Sequence, residues 1–533
     1  MPRKLKSLPL AKRLLYLSAA CLALPGAARA ADLFLKPESF RPYVEAFNKN
    51  DNEQKKNFVD NAAAWGWLEK NIPLFACSDK ELEELYYFRW WTFRKHIRET
   101  PDGFVVTEFL PDVPWAGKKH NTISDSAPHH FYEGRWLRDR RYLKDYAYFW
   151  FRKGGEPRRY SFAAADAILA WCKVTGDRQT GIDLLPDLIK NYQAWEGDHQ
   201  DANGLFWQID DRDGMEMSIG GSGYRPTINS YMYGDAVAIG EIAKWAGNPA
   251  VSQEFALKAA KLRELVETNL WDESASFYKV LPRGEKQTPV DVREQIGYVP
   301  WFYNLPKPGR EVAWKQLIDP KGFQAPFGPT TAEQRHPRFM KLKTKHECLW
   351  DGPSWPFATS QTLVALGNLL NDYRQDHVGK KDYFDVLKTY ARSQHLKLPD
   401  GKEIPWIDED LDPFTGEWIA RRELYKRNDR LKDRGRDYNH STFNDLVVTG
   451  VVGLRPKLDQ WIEINPLVPV GALDYFCLDN VRYHDSDLTI IYDRTGKRYG
   501  KGTGLRVFAD GREIGSSPKL ERFRVKLPPT TGD

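Results

Sequence analysis

Carboxylates crowd one short stretch of this chain, WQIDDRDGMEMSIGG, from Trp207 to Gly221. Asp210, Asp211, Asp213 and Glu216 stand there with Arg212, and Met215 and Met217 flank the last acid. A carboxylic acid held among apolar groups keeps its proton above the usual range, because its charged form loses most on leaving water. A second carboxylate in wetter surroundings stays ionised. Two such groups facing one substrate bond can give a proton on one side and take one on the other. The bland reading is a solvated loop: the stretch is too polar for a core strand and too rich in glycine for a helix interior.

Four further polar constellations have the same look. They are EGRWLRD (Glu133–Asp139), REQIGYVPW (Arg293–Trp301), CLWDGPSWP (Cys348–Pro356) and WIDEDLDPFTGEW (Trp406–Trp418), the last containing Glu409. Each has an ordinary explanation. Asp139 suits a helix cap or an ion pair, and Asp351 and Asp412, next to Gly-Pro and Pro, suit turn starts. Outside this context Glu409 reads as an exposed loop acid. The chain also holds 19 Trp, 25 Tyr and 27 Phe, and most such rings fill cores. Those in WQIDD, CLWDGPSW and IPWIDED sit among polar loop residues, a placement that suits the wall of a pocket where rings stack on sugars.

The elements that must position these loops are helices. Apolar residues recur at helical spacing in Glu81–Ile97, Arg159–Thr175, Thr180–Trp195, Ile228–Ala246, Ser252–Leu270, Trp355–Tyr373, Tyr383–His395 and His440–Gly453. Gly, Asp and Asn mark their ends, as in VTGD and WAGN. Short turns alternate with long loops rich in Trp, Asp, Gly and Pro. Helical hairpins set in a ring put short turns on one rim and long, functional loops on the other. A stacked solenoid is the competitor, but no repeat of fixed period is present. The expected fold is therefore mainly α, an (α/α)6 toroid over 31–455 with its N-terminal lead-in, followed by a small β-rich domain over 456–533. In that tail WIEINPL, LTIIYD, LRVFADG and FRVKLPP read as strands, with a hairpin turn at Asp510-Gly511.

Residues 1–30 read as a secretory signal: a basic start, an apolar run from Leu14 to Leu24, and Ala28-Arg29-Ala30 as the cleavage site. Lipoprotein processing at Cys21 is the alternative, but SAA before it lacks the usual leucine. The expected location is the periplasm or the exterior. Removing the leader's six Lys/Arg from a net charge of +5 leaves −1, which gives no basic field for nucleic acid. No later apolar run is long enough to span a membrane. Cys77, Cys172, Cys348 and Cys477 are far apart with no CxxC pair, so neither a zinc site nor any other metal or cofactor is expected. The sequence specifies no oligomeric state.

As an ordered set, DGMEMS, INSYMYGDAVAIGEIA, FGPTTAEQRHP, WDGPSWP and EDLDPFTGE resemble the six-hairpin glycoside hydrolases of the mannosylglycerate-hydrolase-like group, relatives of family 63 glucosidases and trehalases. The resemblance covers roughly Glu81 to Arg455. It implies a glycosidase with a carbohydrate substrate. The group's general acid is an Asp in Gly-x-Asp-x-Ser; GMEMS puts Glu216 there, one methylene longer, and leaves Asp213 as its rival. The general base corresponds to Glu409. Trp136 and Asp139 match the pair that holds the innermost sugar, and Trp350, Asp351 and Trp355 would line the same pocket. The group acts with inversion, so the two carboxyl groups are expected about 6.5–9.5 Å apart, leaving room for water. Exo action on an oligosaccharide or small glycoside is expected. Three other readings stay open: a binding protein that has lost the chemistry, a phosphorylase, for which no Gly-rich cradle is visible, and a lyase using Tyr438 and His440 with Arg434 and Arg436.

Overall fold

The computed structural model describes residues 33–284, 288–342 and 346–528. The expected leader and Cys21 lie outside these residues.

Helices carry most of the chain before residue 454, and sheet dominates after it. The sequence punctuation works as read. Gly176 closes the helix Ala164–Thr175 in the left-handed region (φ 74°), and the Asp177 side chain opens Arg178–His199 by accepting from the Thr180 amide at 3.0 Å. Asn248 caps Pro249–Asn269 in the same way, accepting from Val251 at 3.2 Å. Prolines occupy first turns at Pro226, Pro249 and Pro356, where no amide hydrogen is missed.

Two kinds of helix result. Pro226–Trp245 is buried around almost its whole circumference, whereas Pro249–Asn269 buries one stripe, Phe255, Ala259, Leu262 and Val266. The first kind belongs to an inner layer and the second to an outer one. The helices Ala127–Gly134, Ala164–Thr175, Pro226–Trp245, Val299–Phe302, Pro356–Asp372 and Asn444–Leu446 touch one another in that order, and the last touches the first. Arg178–His199 and Pro249–Asn269 pack outside Pro226–Trp245, and Lys380–Ser393 lies between Pro356–Asp372 and Lys80–Lys95.

Two helices depart from their expected spans, both near the long loops. Arg159–Thr175 becomes helical only at Ala164, because Ser161 is tied elsewhere: its amide donates to Arg212 O at 2.8 Å. His440–Gly453 begins at Asn444 and continues as a π-helix from Val447 to Val452. A residue wider than glycine at 450 would collide with the Tyr383 hydroxyl. Residues 440–443 are thereby left out of the helix.

The C-terminal strands appear as expected, with Asp510 and Gly511 both at positive φ (49° and 77°) between Gly504–Ala509 and Arg512–Ser517. The sheet also takes a strand from the other end of the chain. Leu74–Cys77 pairs antiparallel with Tyr475–Tyr483, Leu74 opposite Asp479, so the order is Leu74–Cys77, Tyr475–Tyr483, Ser486–Asp493, Gly504–Ala509, Arg512–Ser517. Among the described residues, no helix is long and apolar enough to cross a membrane.

Candidate active site

Glu216 and Glu409 line one cavity of about 280 Å³, together with Glu108, Asp125, Cys348 and Arg434. A larger cavity of about 630 Å³, lined by Lys173, Arg263 and Arg455 among others, contains neither Glu216 nor Glu409. Both candidate carboxylates thus fall in the smaller cleft.

Glu216 reaches the cleft because its neighbours are fastened behind it. Asp210–Asp213 forms a 3-10 turn that Gly214 ends in the left-handed region, φ 69°. Asp213 points inward, accepting from Arg225 Nε at 2.6 Å, from Ser161 Oγ at 2.5 Å and from the Thr227 hydroxyl. Met215 is buried beneath, with its sulfur 3.4 Å from Arg225 Nη2. Farther along, the Gly220 amide donates to Glu294 at 3.0 Å, which gives the REQIGYVPW acid a fastening role. Met217 sits at φ 63°, uncommon for a residue with a side chain. Burial pushes the Glu216 carboxyl up to about 8, and the charges of Asp211, Asp125 and Glu409 add to the push.

Glu409, expected in the wetter surroundings, is the drier of the two: it is 2 % exposed while Glu216 is half-buried, and an ion pair takes the place of water. Arg434 grips it with two bonds, Nε to Oε1 at 2.6 Å and Nη2 to Oε2 at 3.0 Å. The Cys348 thiol donates to Oε2 at 2.9 Å. Burial and the adjacent Glu409 hold that thiol well above its ordinary pKa, so it acts as a neutral donor. Arg434 also pairs with Glu347 at 2.7 Å and lies over the Trp115 ring at 5.0 Å. Glycine is required next to it: any Cβ at Gly435 would collide with the Asp408 carboxyl. A carboxylate has about four acceptor sites, so the bonds from Arg434 and Cys348 leave capacity for a proton from water.

A third group faces the same cleft. Tyr438 donates its hydroxyl to Glu108 Oε1 at 2.9 Å and contacts His440 Nδ1. His440 Nδ1 is 3.1 Å from Glu108, and its Nε2 is 4.0 Å from Asp125 Oδ2. Burial pushes Asp125 up to about 7 and Glu108 well above its ordinary value, and it pushes His440 well below. Asp125 lies so close to the backbone of Gly214 that a Cβ there would strike its carboxyl.

The remaining expected residues divide. Trp355 lines the cleft, and Trp350 stacks behind it with ring centres 4.6 Å apart. Asp351 does not line it; its carboxylate accepts from the Leu342 amide at 2.9 Å and so shapes the neighbouring loop. Trp136 and Asp139 are also outside the cleft, contrary to their expected place at the innermost sugar. Trp136 is fully buried and donates to Asp445 at 2.7 Å, while Asp139 binds Arg141 at 2.6 Å at the start of a helix. Glu133 of the same segment accepts from the amides of Asn444 and Asp445, both at 2.9 Å, so EGRWLRD anchors the element that ends in the π-helix. Asp213 is 1 % exposed and lies behind the cleft wall. Arg436 pairs with Asp51 at 2.9 Å, away from Tyr438 and His440. Sequence reading missed Glu108 and Asp125. Asp125 in SDSAPHH has the look of a helix start, and Glu108 in TEFLPD has no neighbour that marks it.

The profile of the mannosylglycerate hydrolase MGH1-like glycoside hydrolase domain matches residues 119–441. That of the glycosyl hydrolase family 65 C-terminal domain matches residues 454–515. A solved structure named "Sialidase" is 44% identical with a TM-score of 0.87, covering 92% of this chain; this chain spans 45% of that one. A GH78 family rhamnosidase of a Bacillus species is similar in fold at 12% identity (TM-score 0.52, 79% of this chain and 40% of that one). So is an uncharacterized conserved protein from Thermus thermophilus, at 13% identity (TM-score 0.50, 68% of this chain and 99% of that one).

Proposed function

Since the chain belongs to the mannosylglycerate hydrolase MGH1-like glycoside hydrolase family, we propose that it is an exported, inverting glycosidase with Glu216 as acid and Glu409 as base. The observation that carries this reading is the pair of unlike environments in one cleft. Glu216 keeps its proton to about pH 8, while Glu409 is ion-paired with Arg434. A carboxyl that keeps its proton and a carboxylate held by an arginine are suited to opposite parts in acid–base chemistry.

In the reaction, Glu216 gives its proton to the glycosidic oxygen as the bond to the anomeric carbon breaks. Water attacks that carbon from the other face and gives a proton to Glu409. Both groups are reset by exchange with solvent. The circuit of touching inner helices supports an (α/α)6 ring around this cleft, with the β-rich tail from 456 as an added domain. At about 280 Å³ the cleft is at the small end of ligand sites, which favours one terminal sugar and thus exo action. Both arginines on its wall are already paired, Arg212 with Asp211 at 3.4 Å and Arg434 with Glu347 and Glu409, so a neutral sugar suits it better than an acidic one. The same pairing disfavours a uronate lyase built on Tyr438 and His440.

A panel of defined oligosaccharides, read by product chromatography, identifies the substrate. Proton NMR in the first minutes then reads the product anomer. Inversion is expected, with a loss of at least about 10²-fold in kcat for Glu216→Gln and Glu409→Gln. A retained anomer, or a wild-type rate in Glu216→Gln, overturns the assignment.

A further inference from the structure

We propose that Glu108, Asp125 and His440 form a binding site for one divalent transition-metal ion of the zinc or manganese class. One donor atom from each of the three lies within 4.8 Å of the other two. Donors on opposite sides of a metal ion with bonds of about 2.0–2.4 Å stand about 4–4.8 Å apart, so the spread matches one coordination sphere.

The second observation is that each of the three residues has a buried polar atom with no protein partner. His440 Nε2, Asp125 Oδ1 and Glu108 Oε2 are all buried without a hydrogen bond, and the three residues are no more than 5 % exposed. Buried polar atoms of native proteins are normally satisfied. Three such atoms on neighbouring residues of a carboxylate-rich cleft point to a shared positive ligand.

The histidine is already set for the task. Tyr438 gives its own hydroxyl hydrogen to Glu108, so its oxygen is left to accept from His440 Nδ1. That places the ring hydrogen on Nδ1 and the lone pair on Nε2, the neutral form in which imidazole binds metal. One imidazole with two carboxylates is a donor set of intermediate softness, which favours zinc or manganese over calcium. Three protein ligands leave further positions open toward the cleft, where Glu216 and Glu409 also stand. Hydroxyls of a bound sugar are the chemistry such positions take. The rival explanation is a proton shared between the Asp125 and Glu108 carboxyls.

Metal binding tests this without any assay of hydrolysis, so the result stands apart from the glycosidase reading. The full chain is stripped with EDTA and equilibrated separately with Zn²⁺, Mn²⁺ and Ca²⁺, and retained metal is counted after gel filtration. About one equivalent of Zn²⁺ or Mn²⁺ is expected in the wild type, with His440→Ala and Asp125→Asn weakening the Kd by more than about tenfold. Cobalt(II) loading of the wild type gives a readout that depends on no variant: a visible d–d spectrum from a mixed nitrogen and oxygen site. Retention of no metal, a cobalt spectrum identical to that of the aqueous ion, or unchanged affinity in folded His440→Ala and Asp125→Asn overturns the site in favour of the shared proton.

Discussion

Arg434→Met isolates the ion pair that holds Glu409. The wild-type guanidinium bonds both oxygens of a carboxylate that is 2 % exposed, and it reaches Glu347 at 2.7 Å. Methionine keeps the aliphatic stem and removes the charge, which strands Glu409 in the cleft wall. Breaking a buried pair on one side costs about 3–5 kcal/mol, mostly through the charge left behind. Glu409→Gln leaves Arg434 its Glu347 partner and should cost less, about 1–3 kcal/mol. The double variant leaves no uncompensated charge at 409, so its cost should fall short of the sum of the singles by at least about 1.5 kcal/mol, within the range seen for residues in direct contact. The assay is urea unfolding at pH 7 followed by tryptophan fluorescence. With a slope of about 3 kcal/mol/M, Arg434→Met should move the midpoint down by about 1–1.7 M. A coupling under about 0.5 kcal/mol, or an Arg434→Met cost under about 1 kcal/mol, would falsify the view that Arg434 is what makes a buried carboxylate tolerable at 409.

Three other outcomes follow from the site. The alkaline limb of kcat/KM should bend near pH 8, where burial has put Glu216, and fall tenfold per unit beyond; a limb near pH 5 would mean another acid. Asp213→Asn should destabilise by about 3–5 kcal/mol, because it strands buried Arg225, yet leave kcat of the folded protein within about tenfold. A loss of about 10³ in kcat would hand the acid role to Asp213. Stability should decline as pH rises from 5 to 8. Glu133 and Asp408 are pushed up to about 7 and Glu216 to about 8, so the folded chain holds protons that the unfolded chain gives up near pH 4. The stability they contribute is fully present below about pH 4 and is lost as pH climbs through 7 to 8. Asp408→Asn should flatten the urea-midpoint profile over that window, and an unchanged profile would show that Asp408 is already ionised in the folded protein.

The helices were readable because a buried stripe repeats every three or four residues and because Asp177, Asn248 and Gly176 announce ends with chemistry that acts locally. That Glu216 and Glu409 share a cleft was readable through the motifs around them. The third side of the cleft was not. Glu108 and Asp125 come together with His440 only through tertiary packing, across more than 300 positions, and no local spacing encodes that. Trp136 and Asp139 went the other way. The family resemblance put them at the innermost sugar, but the indole is used to hold Asp445 and the carboxylate to hold Arg141, the ion-pair role that its local context suggested. Local composition cannot tell a polar group that serves a ligand from one that serves a neighbouring backbone. Nor could it reveal the partner of Leu74–Cys77, a four-residue apolar run that reads as core whatever it pairs with.

That pairing has a consequence in time. Residue 74 leaves the ribosome about 400 residues before its partner at 479, and at about 5–20 residues per second the wait is roughly 20–80 s. During that interval Phe75, whose amide later bonds the Tyr87 hydroxyl, and the rest of the strand present an unmatched hydrogen-bonding edge. Final closure of the molecule must await the synthesis of its C-terminal strands. A chain cut before Tyr475 would keep every carboxylate of the cleft and still lack the strand that seals its beginning, so shortened forms should be captured by chaperones or aggregate instead of yielding a smaller folded protein.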